Sequence, residues 1–199
     1  PSRTVRGALN PMKKTIIAVA LAALVPVSAH AADNYTMDPN HTFPVFEVNH
    51  LGFSVQHGRF NKTSGNITLD MAGKSGSVDL TIETASLDMG FPLWDKHMAE
   101  EGFFNSEKFP TMTFKSNKLI FKDDKVVAAE GDFTMLGVTK PLTVSVNGFK
   151  CGEHPMNKKP LCGANIGGTI KRSDFGMTKY VPAISDDVKI HVPVEAYKN

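Results

Sequence analysis

Histidine and cysteine have the widest chemical reach of the side chains in this sequence, which holds seven of the first and two of the second. The segment NHLGFSVQHGRF, Asn49 to Phe60, places His50 and His57 seven residues apart among strand-forming and aromatic residues. Imidazoles bind metals and move protons near neutral pH, but this separation in strand-like sequence is not a metal spacing. A two-histidine metal site is therefore not expected. His50 shares a face with apolar neighbours, either as a hydrogen-bonded core histidine or as a polar group meeting a ligand's carbonyl or hydroxyl. His97 follows Leu93 by four residues in a helix-like segment and can face the same space. His41 precedes a strand, in a loop, and His191 points outward. No G-x-S-x-G, H-E-x-x-H, phosphate-binding glycine loop or C-x-x-C occurs, so the common enzyme motifs are missing. The pairs Asp123-Asp124 and Asp186-Asp187 fall in turn-like sequence, where carboxylates are usually solvated.

The first 31 residues read as an N-terminal extension followed by a cleaved export signal. Met12-Lys13-Lys14 is a basic start, TIIAVALAALVPV an apolar core, and Ala29-His30-Ala31 a small-x-small cleavage site. That core is too short to cross a bilayer, which takes about 20 apolar residues, and no later segment is a transmembrane candidate. Residues 32–199 are expected to form one domain in the periplasm. Removal of Arg3, Arg6, Lys13 and Lys14 leaves 18 of 22 basic residues against 20 acidic ones, a net charge of −2. With no basic stripe, nucleic acid is not an expected partner. In an oxidising compartment Cys151 and Cys162 are expected to pair as a disulfide, stapling CGEHPMNKKPLC, which shows no strand pattern. Zinc is disfavoured because C-x10-C is not a metal spacing.

From Tyr35 onward the hydrophobic pattern has a period of two, in short runs broken by Gly, Asn, Asp and Pro, which specifies antiparallel strands. Phe46, Val48 and His50 share one face, as do Val78, Leu80 and Ile82, then Leu142, Val144 and Val146. Near the C-terminus Val188, Ile190, Val192 and Val194 oppose Lys189, His191 and Glu195, and Pro193 marks an exposed or irregular strand end. Only PLWDKHMAEEG breaks the pattern, with Pro92 suited to a first helical turn and Gly102 to a stop. About eight strands around one short helix imply an all-β antiparallel barrel, because closure removes exposed edges. The helix region packs Met89, Phe91, Leu93, Trp94, Met98, Phe103, Phe104 and Phe109 into 21 residues. One short helix cannot hide them against a filled barrel, so they suit the lid of an apolar pocket.

Four segments, DPNHTFPVFEVNHLGFSVQHGRF, DKHMAEEGFFNSEKFPTMTF, GDFTMLGVTKPLTV and KRSDFGM, together resemble the YceI-like polyisoprenoid-binding proteins. The similarity extends from Tyr35 to about Val194. It implies an extended lipocalin-like barrel whose apolar tunnel holds a ubiquinone-like or polyprenyl chain, with NHLGFSVQHGRF forming a bend between two barrel strands. About 40 carbons at roughly 0.8 kcal/mol per buried methylene put the cost of exposing such a tail in the tens of kcal/mol, so a closed tunnel is required. Gly167 and Gly168 are expected to leave room inside it. The expected wall comprises Phe46, Val48, Phe53, Phe60, Trp94, Met98, Phe103, Phe104, Phe114, Phe133 and Met135, with His50 and His97 at the head group. The expected function is a non-enzymatic periplasmic carrier that needs no cofactor and holds an isoprenoid quinone or polyprenyl lipid. A membrane redox protein is a candidate recipient and a homodimer the expected assembly. Two alternatives stand beside it: a filled barrel serving as an interaction module through the disulfide loop, and a haem or metal redox protein using His50 and His97.

Overall fold

A computed structural model describes residues 31–199, together with Ser2 and Gly7, and the expected presequence lies almost wholly outside these residues. The strands are β1 (Asp33–Met37), β2 (Val45–His50), β3 (Ser54–Phe60), β4 (Thr63–Asp70), β5 (Ser75–Glu83) and β6 (Leu87–Asp88), then helix α1 (Pro92–Ala99). After it come β7 (Thr111–Lys122), β8 (Lys125–Met135), β9 (Val138–Glu153), β10 (Pro160–Lys171) and β11 (Asp187–Lys198). Neighbours run β1-β4-β5-β7-β8-β9-β10-β11, and β11 returns to β1 through Tyr35 opposite Lys198. Eight antiparallel strands thus close a barrel. β2, β3 and β6 form an antiparallel tongue that continues from β11 at Lys189 opposite Glu47. The NHLGFSVQHGRF bend therefore joins two tongue strands, outside the closed wall.

β11 is shared between two partners, with β2 opposite residues 189–191 and β1 opposite residues 196–198. Pro193 sits between them. Glu195 turns its N–H and C=O toward this gap, and Pro193 has the same parity, so its missing N–H faces a place where no ladder bond is needed. Pro193 thus marks a split in the middle of a strand rather than the strand end expected from sequence. Thr42, 0% exposed, fills the gap. Its hydroxyl donates to the Glu195 carbonyl and accepts from the Glu195 N–H, each at 3.0 Å. Asp38 N–H donates to the same carbonyl at 2.8 Å, and the Thr63 hydroxyl donates to the Thr42 carbonyl.

Alternation directs one residue in two toward the barrel axis, and the buried apolar set runs through every wall strand. Cys151 and Cys162 are directly opposed across β9 and β10 and form the disulfide. Both strands extend farther than the sequence pattern shows, so only residues 154–159 remain as loop. Helix α1 starts with Pro92 in its first turn, where a missing N–H costs nothing. The Asp95 carboxylate accepts the Met89 N–H at 2.6 Å, tying the helix to the preceding chain. Gly102, at φ +91°, supplies the left-handed turn soon after the helix ends.

Candidate ligand cavity and its mouth

The barrel is hollow. A cavity of about 410 Å³ runs through it, so side chains do not fill the barrel. Its wall is built from the faces that strand periodicity turns inward: Leu80 and Ile82 of β5, Met112 and Phe114 of β7, Phe133 and Met135 of β8, and Val144 of β9. On β11 the lining residues extend from Val188 to Ala196, about 27 Å of strand at roughly 3.4 Å per residue. Toward the β9–β10 hairpin the cavity is bounded by Leu119, Val126, Phe149, Cys162 and Ala164.

Polar side chains collect at the other end. His50, Gln56, His97, Arg172 and Tyr180 all border the cavity there, supplied by the tongue, α1 and the segment between β10 and β11. These pieces are tied together. His50 bridges to Ile184, the Leu51 N–H donates to the Ala183 carbonyl at 3.0 Å, and Ser185 N–H donates to the Asn49 carbonyl at 3.0 Å. The His97 and Phe103 rings meet at 4.9 Å, and Phe103 and Tyr180 at 6.2 Å. Tyr35 is a further polar-tipped residue on the wall, on β1 and away from the mouth.

Arg172 organises the return segment. It is buried, and its guanidinium donates to the carbonyls of Ser185, Met177, Lys179 and Ile184 at 2.9 to 3.1 Å. Burial draws its pKa below the ordinary arginine value, opposed by the Asp186 carboxylate. Asp186 in turn accepts the Ser173 N–H and hydroxyl at 2.8 and 2.7 Å, which hold its carboxyl below the usual range. Four of the five guanidinium N–H groups are thus committed to one loop.

Twelve of the wall and head-group residues expected from sequence border this cavity: Phe46, Val48, His50, Phe60, Trp94, His97, Met98, Phe103, Phe104, Phe114, Phe133 and Met135. Phe53 does not. It follows Leu51 at φ +59° and Gly52 at φ +76°, in a turn closed by its own N–H to the His50 carbonyl at 3.0 Å. That turn carries Phe53 off the alternating face and leaves it 90% exposed. Gly167 is also corrected. A side chain there would meet Ser145 on the outer face, whereas one on Gly168 would meet Val144 on the inner face. A register shift between Gly163 and Asn165 brings Gly163 and Ala164 to the lumen instead.

The two histidines of the hairpin face opposite ways. His50 borders the cavity, while His57 Nε2 lies outside, 3.5 Å from a Glu47 carboxylate that His191 approaches to 3.4 Å. His41 Nδ1 donates to the Asp38 carboxylate at 2.7 Å, beside the β1–β2 split. Sequence reasoning missed Arg172, Gln56 and Tyr180. Arginine and glutamine normally signal surface, and only the position of Arg172 within KRSDFGM pointed to it.

Residues 35–196 match the YceI-like domain family. A UPF0312 protein of Vibrio cholerae serotype O1 is 36% identical over 188 residues, covering 91% of this chain and 97% of the relative. Among solved structures, Burkholderia cenocepacia BcnA is similar at 22% identity with a TM-score of 0.69, over 80% of this chain and 98% of that one. A polyisoprenoid binding domain from Saccharophagus degradans, implicated in plant cell wall breakdown, is similar at 16% identity with a TM-score of 0.63, over 83% of this chain and 98% of that one. Both structures share the barrel fold.

Proposed function

Because the chain belongs to the YceI-like domain family, we propose that it is a periplasmic binding protein, not an enzyme, that carries a long isoprenoid in its barrel. The observation that carries this reading is the separation of chemistry along one cavity. Its length is apolar apart from Tyr35, and its other polar side chains meet at the mouth, the distribution an amphiphile with a long hydrocarbon tail requires. The name of the Saccharophagus degradans neighbour supports the same ligand class.

In this reading the tail lies against Phe114, Phe133, Val144 and the β11 valines, removed from water at roughly 25 cal/mol per Å² of apolar surface. The head group meets His50, Gln56 and His97, and the fifth Arg172 N–H, which has no partner among the described residues, is left to donate to a carbonyl oxygen. A ubiquinone-like ring offers such carbonyls, and a polyprenyl lipid offers a hydroxyl or phosphate. A quinone cargo gives the protein a membrane redox recipient. The periplasmic assignment rests on the basic start, apolar core and Ala29-His30-Ala31 site of the presequence.

The test is reconstitution. Purified residues 32–199 are mixed with ubiquinone or a polyprenol and separated from free lipid by gel filtration. Saturable co-elution near one lipid per chain is expected. Lipid that elutes entirely apart from the folded protein would contradict the reading.

A further inference from the structure

Exposed apolar side chains are gathered around the mouth. Of the large ones exposed to solvent, Leu51, Phe53 and Val55 lie on the β2–β3 hairpin, Phe91, Leu93 and Trp94 at or in α1, and Tyr180 on the return segment. Met156, on the far hairpin, is the exception among the described residues. Trp94 and Tyr180 both reach solvent and border the cavity, so the apolar rim and the lumen are one continuous surface. Leu51 holds a left-handed φ of +59°, a conformation in which glycine or asparagine fits best. Folding alone does not call for an exposed leucine there. Contiguous exposed apolar surface of this kind marks an interaction site.

We propose that this rim docks on a phospholipid bilayer and that the cavity loads and unloads through the docked face, an inference that rests on the lipid-carrier reading. Residue chemistry selects the bilayer over a protein partner. Trp and Tyr favour the headgroup level, where an apolar ring and a polar tip are both satisfied. Lys96 of α1 and Lys179 supply charge complementary to lipid phosphate. Neither forms an ion pair among the described residues, and the Lys179 ammonium lies 5.0 Å from the Phe103 ring centre and 5.3 Å from that of Tyr180. The Glu100 carboxylate lies 3.5 Å from His97 Nδ1. Docking this face places the mouth against the membrane, so an isoprenoid tail can pass between lipid and lumen without crossing water, where its exposure is most costly.

The experiment is flotation of residues 32–199, which contain the whole closed barrel, with phosphatidylethanolamine–phosphatidylglycerol vesicles. Trp94 is the sole tryptophan, so its emission reports the rim directly. The wild-type chain is expected to float with the vesicles and its emission to shift to the blue. Phe53→Ser/Leu93→Ser, which alters exposed side chains outside the cavity wall, is expected to lower the bound fraction at least about tenfold. Met156→Ser, at the opposite end, is the control and is expected to bind as wild type does. Absence of flotation with unchanged emission overturns the proposal, as does equal binding by the double variant. A wild-type dimer that the double variant dissociates, without vesicle binding, assigns the face to a second copy and also overturns it. Lipid content of the same preparations is read separately by mass spectrometry, so a loaded protein that ignores vesicles contradicts docking alone.

Discussion

The Phe60 and Phe104 rings meet edge to face with centroids 5.2 Å apart, joining the tongue to the segment that follows α1. Phe46 stands 6.0 Å from the first and 6.1 Å from the second, and all three border the cavity. This aromatic triangle packs the tongue against the segment after α1, beside the cavity. Phe104→Ala is expected to lower the unfolding free energy by about 3 kcal/mol, the low end for a buried phenylalanine because one side of the ring already faces a cavity. Phe104→Leu restores most of that loss. Urea unfolding followed by circular dichroism measures both.

Thr42 makes a second prediction at the barrel's closure. Thr42→Val keeps shape but leaves the Glu195 N–H without the hydroxyl that accepts it, at a cost of about 1–3 kcal/mol. Thr42→Ser retains the bond and loses only a methyl group. Hydrogen exchange at the Glu195 amide should accelerate in the valine variant and stay close to wild type in the serine variant.

The Asp38–His41 pair beside that closure gives stability a defined pH dependence. Hydrogen bonding to Asp38 raises the His41 pKa above 6.5, and hydrogen bonding to His41 lowers the Asp38 pKa below 3.8. The raised histidine contributes stability that is fully present below pH 6.5 and lost as pH rises through its folded pKa. The depressed aspartate contributes stability that is present above pH 3.8 and lost as pH falls through its folded pKa. The difference in stability between wild type and His41→Gln should therefore be largest between about pH 4 and 6.5. Urea midpoints across pH 3–9 test this, and a difference that grows above pH 8 would contradict it.

Reduction of the Cys151–Cys162 bond should cost about 3 kcal/mol or less, the chain-entropy value for a loop of this length. The bond closes a hairpin of separation 11 at the end of the barrel remote from the polar mouth. Thermal unfolding with and without reductant measures the loss. Lipid retention by Cys151→Ala/Cys162→Ala at a temperature where the variant is folded should match wild type.

Phe114 is opposed by Phe133 across β7 and β8, and both rings are buried against the lumen. Phe114→Glu places an unpaired carboxylate among apolar walls, where burying a charge is strongly unfavourable. Lipid retention should be abolished in folded protein, whereas Phe114→Leu should retain it. Unchanged lipid content in a folded glutamate variant would remove Phe114 from the binding wall.

Much of the wall was legible because period-two alternation is a local property of the chain. Val188 to Val194 and Leu142 to Val146 could be assigned inward positions from spacing alone. Phe53 could not, since alternation stops at a turn and the positive φ values of Leu51 and Gly52 reset the direction of the next side chain. Gly167 and Gly168 differ by one position, and glycine carries no hydrophobic signal to say which faces inward. The split of β11 between two partners depends on long-range pairing, although Pro193 had marked the site. Arg172 was hidden for a different reason: its burial is made possible by four carbonyls that converge only after the return segment has folded.

Whether the hollow barrel holds an isoprenoid is read most plainly by mass spectrometry of an organic extract of residues 32–199 purified without detergent. An isoprenoid quinone or polyprenyl lipid near one molecule per chain is expected, with a quinone absorption band in the ultraviolet spectrum if the cargo is a quinone. A folded, monodisperse protein that yields no isoprenoid, and takes up none when ubiquinone or a polyprenol is offered, would contradict the account.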